Sequence, residues 1–254
     1  MVAQLGRDQS GEVIDASRSV AAVSEERWQV AQRYELETWR RRLSFPRYQL
    51  LAMAHRLGVR ACPPDDDWNL WWRSKFEEYR MIPREVGSAI EVGCGPFTNI
   101  RLIRERCTID EVVLNDPLVE AYAGMRRSWV SQVAGEPWLA IDPRPLESLV
   151  MTGREFDLVV MINVLDHVQD PEACMDRATG LVAEHGLIVI GQDLYEPLRG
   201  RDGPDPGHPV RIREGQLSGW VDRCFRSLYQ RTLPRNKGRN PDVHGGTFLF
   251  VGQR

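Results

Sequence analysis

The sequence predicts a doubly wound α/β fold on a mostly parallel, seven-stranded sheet, and three observations lead to it. Apolar, β-branched runs recur near residues 89, 112, 138, 157, 187, 226 and 247, with helical stretches between the core strands. That alternation buries a parallel sheet under helices on both faces. The first run, Ala89-Ile90-Glu91-Val92, enters the glycine-rich turn Gly93-Cys94-Gly95-Pro96-Phe97-Thr98. The second, Glu111-Val112-Val113-Leu114-Asn115-Asp116, ends in a carboxylate 21 positions beyond Gly95.

Residues 1–20 are polar, show no apolar period and read as a loose arm. From Ser24 the pattern changes. Ser24-Glu25-Glu26-Arg27 offers a cap with acids in the first turn, and Trp28, Ala31, Leu36, Trp39 and Leu43 follow at helical spacing. A second helix is predicted from Arg47 to Leu57, stopping near Gly58. Cys62-Pro63-Pro64-Asp65-Asp66-Asp67 reads as a stiff acidic linker, and Trp68 to Tyr79 as a third, aromatic-rich helix. Residues 21–85 therefore form a helical segment ahead of a core spanning 86–254.

Within the core, Phe156 to Ile162 is a buried strand with a polar exit, Asn163-Val164-Leu165-Asp166-His167-Val168, and Asp170-Pro171 starts a helix. Gly186-Leu187-Ile188-Val189-Ile190-Gly191 is the next strand, and Thr247 to Val251 the last. Two long polar stretches, 192–213 and 234–246, leave strand ends. Both are expected on the functional side, because open α/β sheets bind ligands beyond the carboxyl ends of their strands.

The Glu-x-Gly-x-Gly turn, the Asp116 strand end, the 163–168 segment and the strand after His185-Gly186 together resemble class I S-adenosylmethionine-dependent methyltransferases of the small-molecule type, over roughly residues 86–252. The resemblance implies a Rossmann-like sheet with an antiparallel last strand and an N-terminal helical cap closing over S-adenosylmethionine. Phe97 stands where that family often has a third glycine, so Thr98 or Asn99 is expected to cap the following helix. A nicotinamide dinucleotide is the competing cofactor. Its fingerprint wants glycine where Thr98 stands and lacks a carboxylate at the position of Glu91.

On this reading the cofactor is held by Glu91, Gly93, Cys94 and Gly95 at the turn, with Glu91 suited to the ammonium group of the methionyl end. Asn115 and Asp116 meet the ribose, Leu146 and Glu147 the adenine, and Asn163 and Val164 the sulfonium end. Tyr34, Trp39 and Trp72 supply aromatic faces, since a sulfonium is attracted to a ring face. His167, with His208 and His244 from the two polar stretches, are the candidates for a general base. His167 also fits a substrate hydrogen-bond donor or a packed ring, and Asp166, Asp193 and Glu196 stand behind the histidines as alternative bases. Asp166 and His167, as chain neighbours, are expected to point apart.

Net charge is −3 and hydrophobic residues make up 42% of the chain, which gives no electrostatic case for a nucleic-acid or membrane partner. Cys62, Cys94, Cys107, Cys174 and Cys224 are scattered, with no Cys-x-x-Cys pair, so neither a disulfide framework nor a metal site is expected. The start lacks a secretory apolar segment, and a cytoplasmic enzyme acting on a small-molecule acceptor is the expectation. A non-catalytic, cofactor-binding or scaffolding member of the same fold is the alternative, with an NAD-dependent oxidoreductase behind it.

Overall fold

The computed structural model describes residues 22–59, 67–75, 80–150, 153–195, 206–239 and 241–254. The predicted arm over 1–20, most of the acidic linker, Cys62 and Glu196 lie outside these residues.

Three helices precede the sheet: α1 (Glu25–Arg42), α2 (Phe45–Arg56) and α3 (Asp67–Lys75). Ser24 caps α1 by accepting from the Arg27 backbone N–H at 3.3 Å. Helix α2 starts two residues earlier than the sequence suggested, because Pro46 is tolerated in a first turn whose N–H groups have no helical partner. It stops before Gly58, whose φ of +71° lies in the left-handed region that favours glycine.

The sheet strands are β1 (Glu85–Val92), β2 (Thr108–Asn115), β3 (Leu139–Asp142), β4 (Phe156–Ile162), β5 (Val182–Leu194), β6 (Arg226–Pro234) and β7 (Gly246–Gln253). Their order is β3-β2-β1-β4-β5-β7-β6, parallel from β3 to β5, with β7 inserted antiparallel beside β5. All seven expected strands are present, and the last has the expected direction. The connecting helices are α4 (Ile100–Ile103), α5 (Val119–Ala123), α6 (Trp129–Val133), α7 (Pro171–Leu181) and α8 (Glu214–Cys224).

Alternation along β4 divides the core. Val159 and Met161 face a layer built from Cys174, Met175 and Leu181 of α7 and Leu217, Trp220 and Val221 of α8. Leu158, Val160 and Ile162 face Ile100, Ile103, Tyr122 and Val130 of α4 to α6. Phe248 and Phe250 on β7 are fully buried with stacked rings, which fixes the antiparallel strand inside the sheet. At α7, Asp170 accepts from the Glu172 and Ala173 N–H groups while Pro171 opens the helix, as the sequence predicted. Among the described residues, Cys94, Cys107, Cys174 and Cys224 are free thiols. None of the described helices is long and apolar enough to cross a membrane.

Because β1 pairs with β2 on one side and β4 on the other, the chain reverses direction across the sheet at β1/β4. A crevice opens there, at the carboxyl ends of the strands.

Candidate active site

A cavity of about 320 Å³ fills this crevice. It is lined by the turn after β1, the ends of β2 and β4, and side chains of α1 and α3. Of the residues singled out from the sequence, Tyr34, Trp39, Trp72, Gly93, Cys94, Gly95, Asn115, Asp116, Leu146, Glu147, Asn163, Val164, His167 and His208 all border it. Glu91 and His244 do not.

Glu91 is fully buried beneath the turn. Its oxygens accept from the Asn99 backbone N–H at 2.8 Å and the Ile100 N–H at 2.9 Å, from the Asn99 side-chain amide at 3.1 Å and from the Thr98 hydroxyl. The carboxylate expected at a ligand ammonium therefore holds the start of α4 instead. Asn99 makes no side-chain cap, and Thr98 accepts from the Ile100 N–H at 3.1 Å. Burial pushes the Glu91 carboxyl above the ordinary range, against the pull of these donors.

The glycines differ in purpose. A Cβ on Gly93 would lie 2.6 Å from a Val164 methyl, so its absence lets the β4 exit close on the turn. A Cβ on Gly95, at φ +55°, would meet nothing within 4 Å and would project into open space. Phe97, in place of a third glycine, packs edge-on against Trp39 of α1 with ring centroids 5.7 Å apart. The departure from the family pattern thus ties the turn to the N-terminal helices.

Asp116 accepts from the Gly95 N–H at 3.1 Å and the Leu118 N–H at 2.8 Å, one on each oxygen. Each oxygen keeps a second lone pair. Burial raises its carboxyl from 3.8 to about 6, partly offset by those two N–H groups. Beside it, the Asn115 amide donates to the carbonyls of Asp142 at 3.1 Å and Arg144 at 2.8 Å, which pins the loop after β3. In that loop Leu146 is buried, while Glu147 accepts from the backbone N–H groups of Gln169 and Asp170.

Asn163, at φ +53°, turns the chain out of β4 and hands its amide to Asp193. Asp193 is buried with Arg239 at 2.6 Å, Thr247 at 2.8 Å and His244 at 3.6 Å. That leaves it an anchor for the late loops rather than a free base.

The three histidines converge although 77 positions separate the first from the last. His167 and His208 have ring centroids 4.6 Å apart, and His208 and His244 6.0 Å. Asp166 lies among them, with Oδ1 4.0 Å from His167 Nε2 and Oδ2 3.8 Å from His208 Nε2. The chain neighbours Asp166 and His167 thus face one another across a gap too long for a hydrogen bond, where the sequence suggested they diverge. Burial raises the Asp166 carboxyl, but the neighbouring imidazoles of His167 and His208, the Gln192 amide and His244 outweigh it and hold it below the ordinary range. His244 stands behind the cavity wall, and burial lowers its pKa despite Asp193 and Asp166.

Residues that the sequence did not single out complete the wall. Trp28 and Gln32 of α1 donate to the His167 carbonyl at 3.1 and 3.3 Å, and Asn69 of α3 donates to the Thr98 carbonyl at 3.3 Å. Arg239 borders the cavity from the second polar loop. Of these, Trp28 carried a signal as part of the helical apolar stripe, and Arg239 as part of the polar stretch 234–246 expected on the functional side.

Comparison with known proteins agrees with this architecture. Residues 68–232 match a family model described as a methyltransferase domain. A search of curated proteins finds no match. Among solved structures, the N-methyltransferase NodS from Bradyrhizobium japonicum WM9 superposes with a TM-score of 0.57 at 13% identity, covering 75% of this chain and 98% of its own. The 1,6-didemethyltoxoflavin-N1-methyltransferase of Burkholderia thailandensis, solved with 1,6-didemethyltoxoflavin and S-adenosylhomocysteine, gives 0.56 at 15% identity and covers 96% of this chain and 98% of its own. S-adenosylmethionine is the cofactor of this fold, and NodS too has been solved with S-adenosylhomocysteine. A family match over more than half the chain, on a sheet ordered 3-2-1-4-5-7-6, makes this protein a member of the class I S-adenosylmethionine-dependent methyltransferases.

Proposed function

We propose that this chain moves the sulfonium methyl of S-adenosylmethionine to an oxygen or nitrogen of a small molecule such as a sugar, a nucleotide sugar or a secondary metabolite. One observation carries the reading: a single cavity is bordered both by the glycine turn with Asp116 and by the paired rings of His167 and His208.

The residues suit the cofactor. Gly95 leaves room for a ligand against the backbone, the spare lone pairs of Asp116 fit two adjacent ribose hydroxyls, and Trp39 offers a ring face to a sulfonium. When bound, S-adenosylmethionine supplies a methyl already activated by positive sulfur. The chain's own task is alignment, which supplies roughly 7–11 kcal/mol when the reacting groups are well placed. The histidine–aspartate cluster takes the acceptor's proton where that acceptor is a hydroxyl, an effect of about 10²–10⁴-fold. An amine in its neutral form needs no such help. The residues ahead of the core, 21–85, serve as a cap over the cofactor, which accounts for Trp28, Gln32, Trp39, Asn69 and Trp72 on the cavity wall.

A dinucleotide is disfavoured because the position its fingerprint gives to glycine holds a buried Thr98 bonded to Glu91. Both neighbours named above are N-methyltransferases, so amines join hydroxyls in the first screen. Calorimetry should show micromolar binding of S-adenosylhomocysteine and little of NAD, and a screen of hydroxyl and amine acceptors should release S-adenosylhomocysteine. Preference for NAD, or no affinity for S-adenosylhomocysteine, would overturn the reading.

A further inference from the structure

The cluster at the end of β4 contains one atom that the fold leaves unsatisfied. Asp166 Oδ1 is buried and has no hydrogen-bond partner among the described residues. An unpaired buried carboxylate oxygen is costly, and proteins keep one where something else is meant to meet it. What faces it is a set of imidazole nitrogens: Asp166, His167 and His208 each offer a ligand atom, and these atoms all lie within 4.8 Å of one another.

The geometry points to a divalent transition-metal site formed by Asp166, His167 and His208, with its open coordination positions turned toward the cavity. Two imidazoles and one carboxylate form a donor set for zinc, iron(II), cobalt or manganese rather than for magnesium or calcium, which favour all-oxygen shells. Metal bonds of about 2.0–2.2 Å place neighbouring donors roughly 3 Å apart, so gaps of 3.8 and 4.0 Å close with side-chain shifts of about an ångström.

The backbone that carries the ligands is already braced. The His167 N–H donates to Val164 at 2.9 Å, the His167 carbonyl accepts from Trp28 and Gln32, and the Val210 N–H donates to the Asp166 carbonyl at 3.3 Å. A bare ion pair explains the cluster less well. The carboxylate stands beyond the roughly 2.7–2.9 Å of a charge-assisted hydrogen bond from either ring, and two protonated rings with centroids 4.6 Å apart would repel. Scattered cysteines had argued against a metal; this donor set contains none.

Both rings border the cavity, so the open positions meet whatever lies there. Resting on the methyltransferase reading for its consequence, though not for binding, the site selects a hydroxyl acceptor. With His167 and His208 engaged as ligands, the metal replaces them as the group that activates the hydroxyl: coordination lowers the hydroxyl's pKa, and the proton passes to water. The oxygen then forms the new bond to the methyl carbon while the carbon–sulfur pair leaves with sulfur.

Co²⁺ titration of the untagged, chelator-stripped full chain tests this through the ion's visible ligand-field absorption. One equivalent should bind, Zn²⁺ should displace it, and Asp166→Asn and His208→Gln should each weaken binding at least about tenfold. His185→Asn, at an exposed histidine outside the cluster, should bind as the wild type does. Zn²⁺ should also raise the melting temperature of the wild type, a readout that needs no variant to fold. Absent bands, or equal binding by the cluster variants, would overturn the site. Calorimetry with S-adenosylhomocysteine on the stripped protein separates the two readings: cofactor binding without Co²⁺ bands rejects the metal alone, and bands without cofactor binding reject the methyltransferase reading alone.

Discussion

Asn163 and Asp193 hold each other in both directions across the ends of β4 and β5. The Asn163 amide donates to Asp193 Oδ2 at 2.9 Å, and its oxygen accepts from the Asp193 backbone N–H at 2.8 Å. The same fully buried carboxylate carries Arg239 and Thr247. Replacing it by alanine removes the carboxylate partner of a mostly buried guanidinium and of an amide, so Asp193→Ala should lose about 3–5 kcal/mol in urea unfolding. A loss below about 1 kcal/mol would mean that the joint is ornamental.

Asp116 predicts a pH dependence with a defined sign. Its carboxyl sits at about 6 in the folded chain against 3.8 ordinarily, so across that window the folded state keeps a proton the unfolded state has lost. Stability from this group is therefore present at low pH and declines as pH rises toward about 6. Cofactor affinity should run the other way, strengthening through the same window because only the ionised group accepts from both ribose hydroxyls. Asp116→Asn should flatten the profile, and Asp116→Ala should cost at least about tenfold in affinity, at about 1.5–3 kcal/mol per charged hydrogen bond. Calorimetry between pH 5 and 8 settles the sign, with those limits set about the ordinary carboxylate-to-histidine range.

Glu91→Gln is nearly isosteric yet should destabilise by about 1–3 kcal/mol. Glu91 accepts at both oxygens from N–H or O–H donors, so an amide NH₂ group would face one of them. Denaturant melts of Glu91→Gln against wild type measure this, and an unchanged midpoint would show that the carboxylate is dispensable to the turn.

Removal of residues 1–20 should leave turnover intact, whereas removal through residue 45 deletes α1 with its cavity-lining Trp28 and Trp39 and should abolish it. Turnover surviving the longer deletion would take the helices ahead of the core out of the mechanism.

Strand positions were legible because each core strand is a dense apolar run, and the turn after β1 was legible because glycine is needed there. Side-chain direction was less so. Glu91 follows Ile90 and precedes Val92, both packed on the α7/α8 face, so the pleat sends it to the opposite face under α4. Spacing alone had suggested a ligand contact. The histidine cluster was legible as three residues near one rim, but its joining by Asp166 depended on a turn that the sequence does not encode locally. Asn69 borders the site through a partner 29 positions away, a range at which neither periodicity nor motif carries information, while for Arg239 the polar stretch signalled its side but not its partner 46 positions away.

The bonds from Trp28 and Gln32 to the His167 carbonyl, with that from the Val23 N–H to Gln169, fasten the front of α1 to the segment that carries the cavity-lining His167. On the proposed reading, in which the N-terminal helices cap the cofactor and His167 faces the acceptor, enclosure and acceptor choice are coupled through these bonds. Grafting the N-terminal helices of another methyltransferase onto this core would break the register of His167 itself, and swaps that retarget the acceptor must carry both segments together.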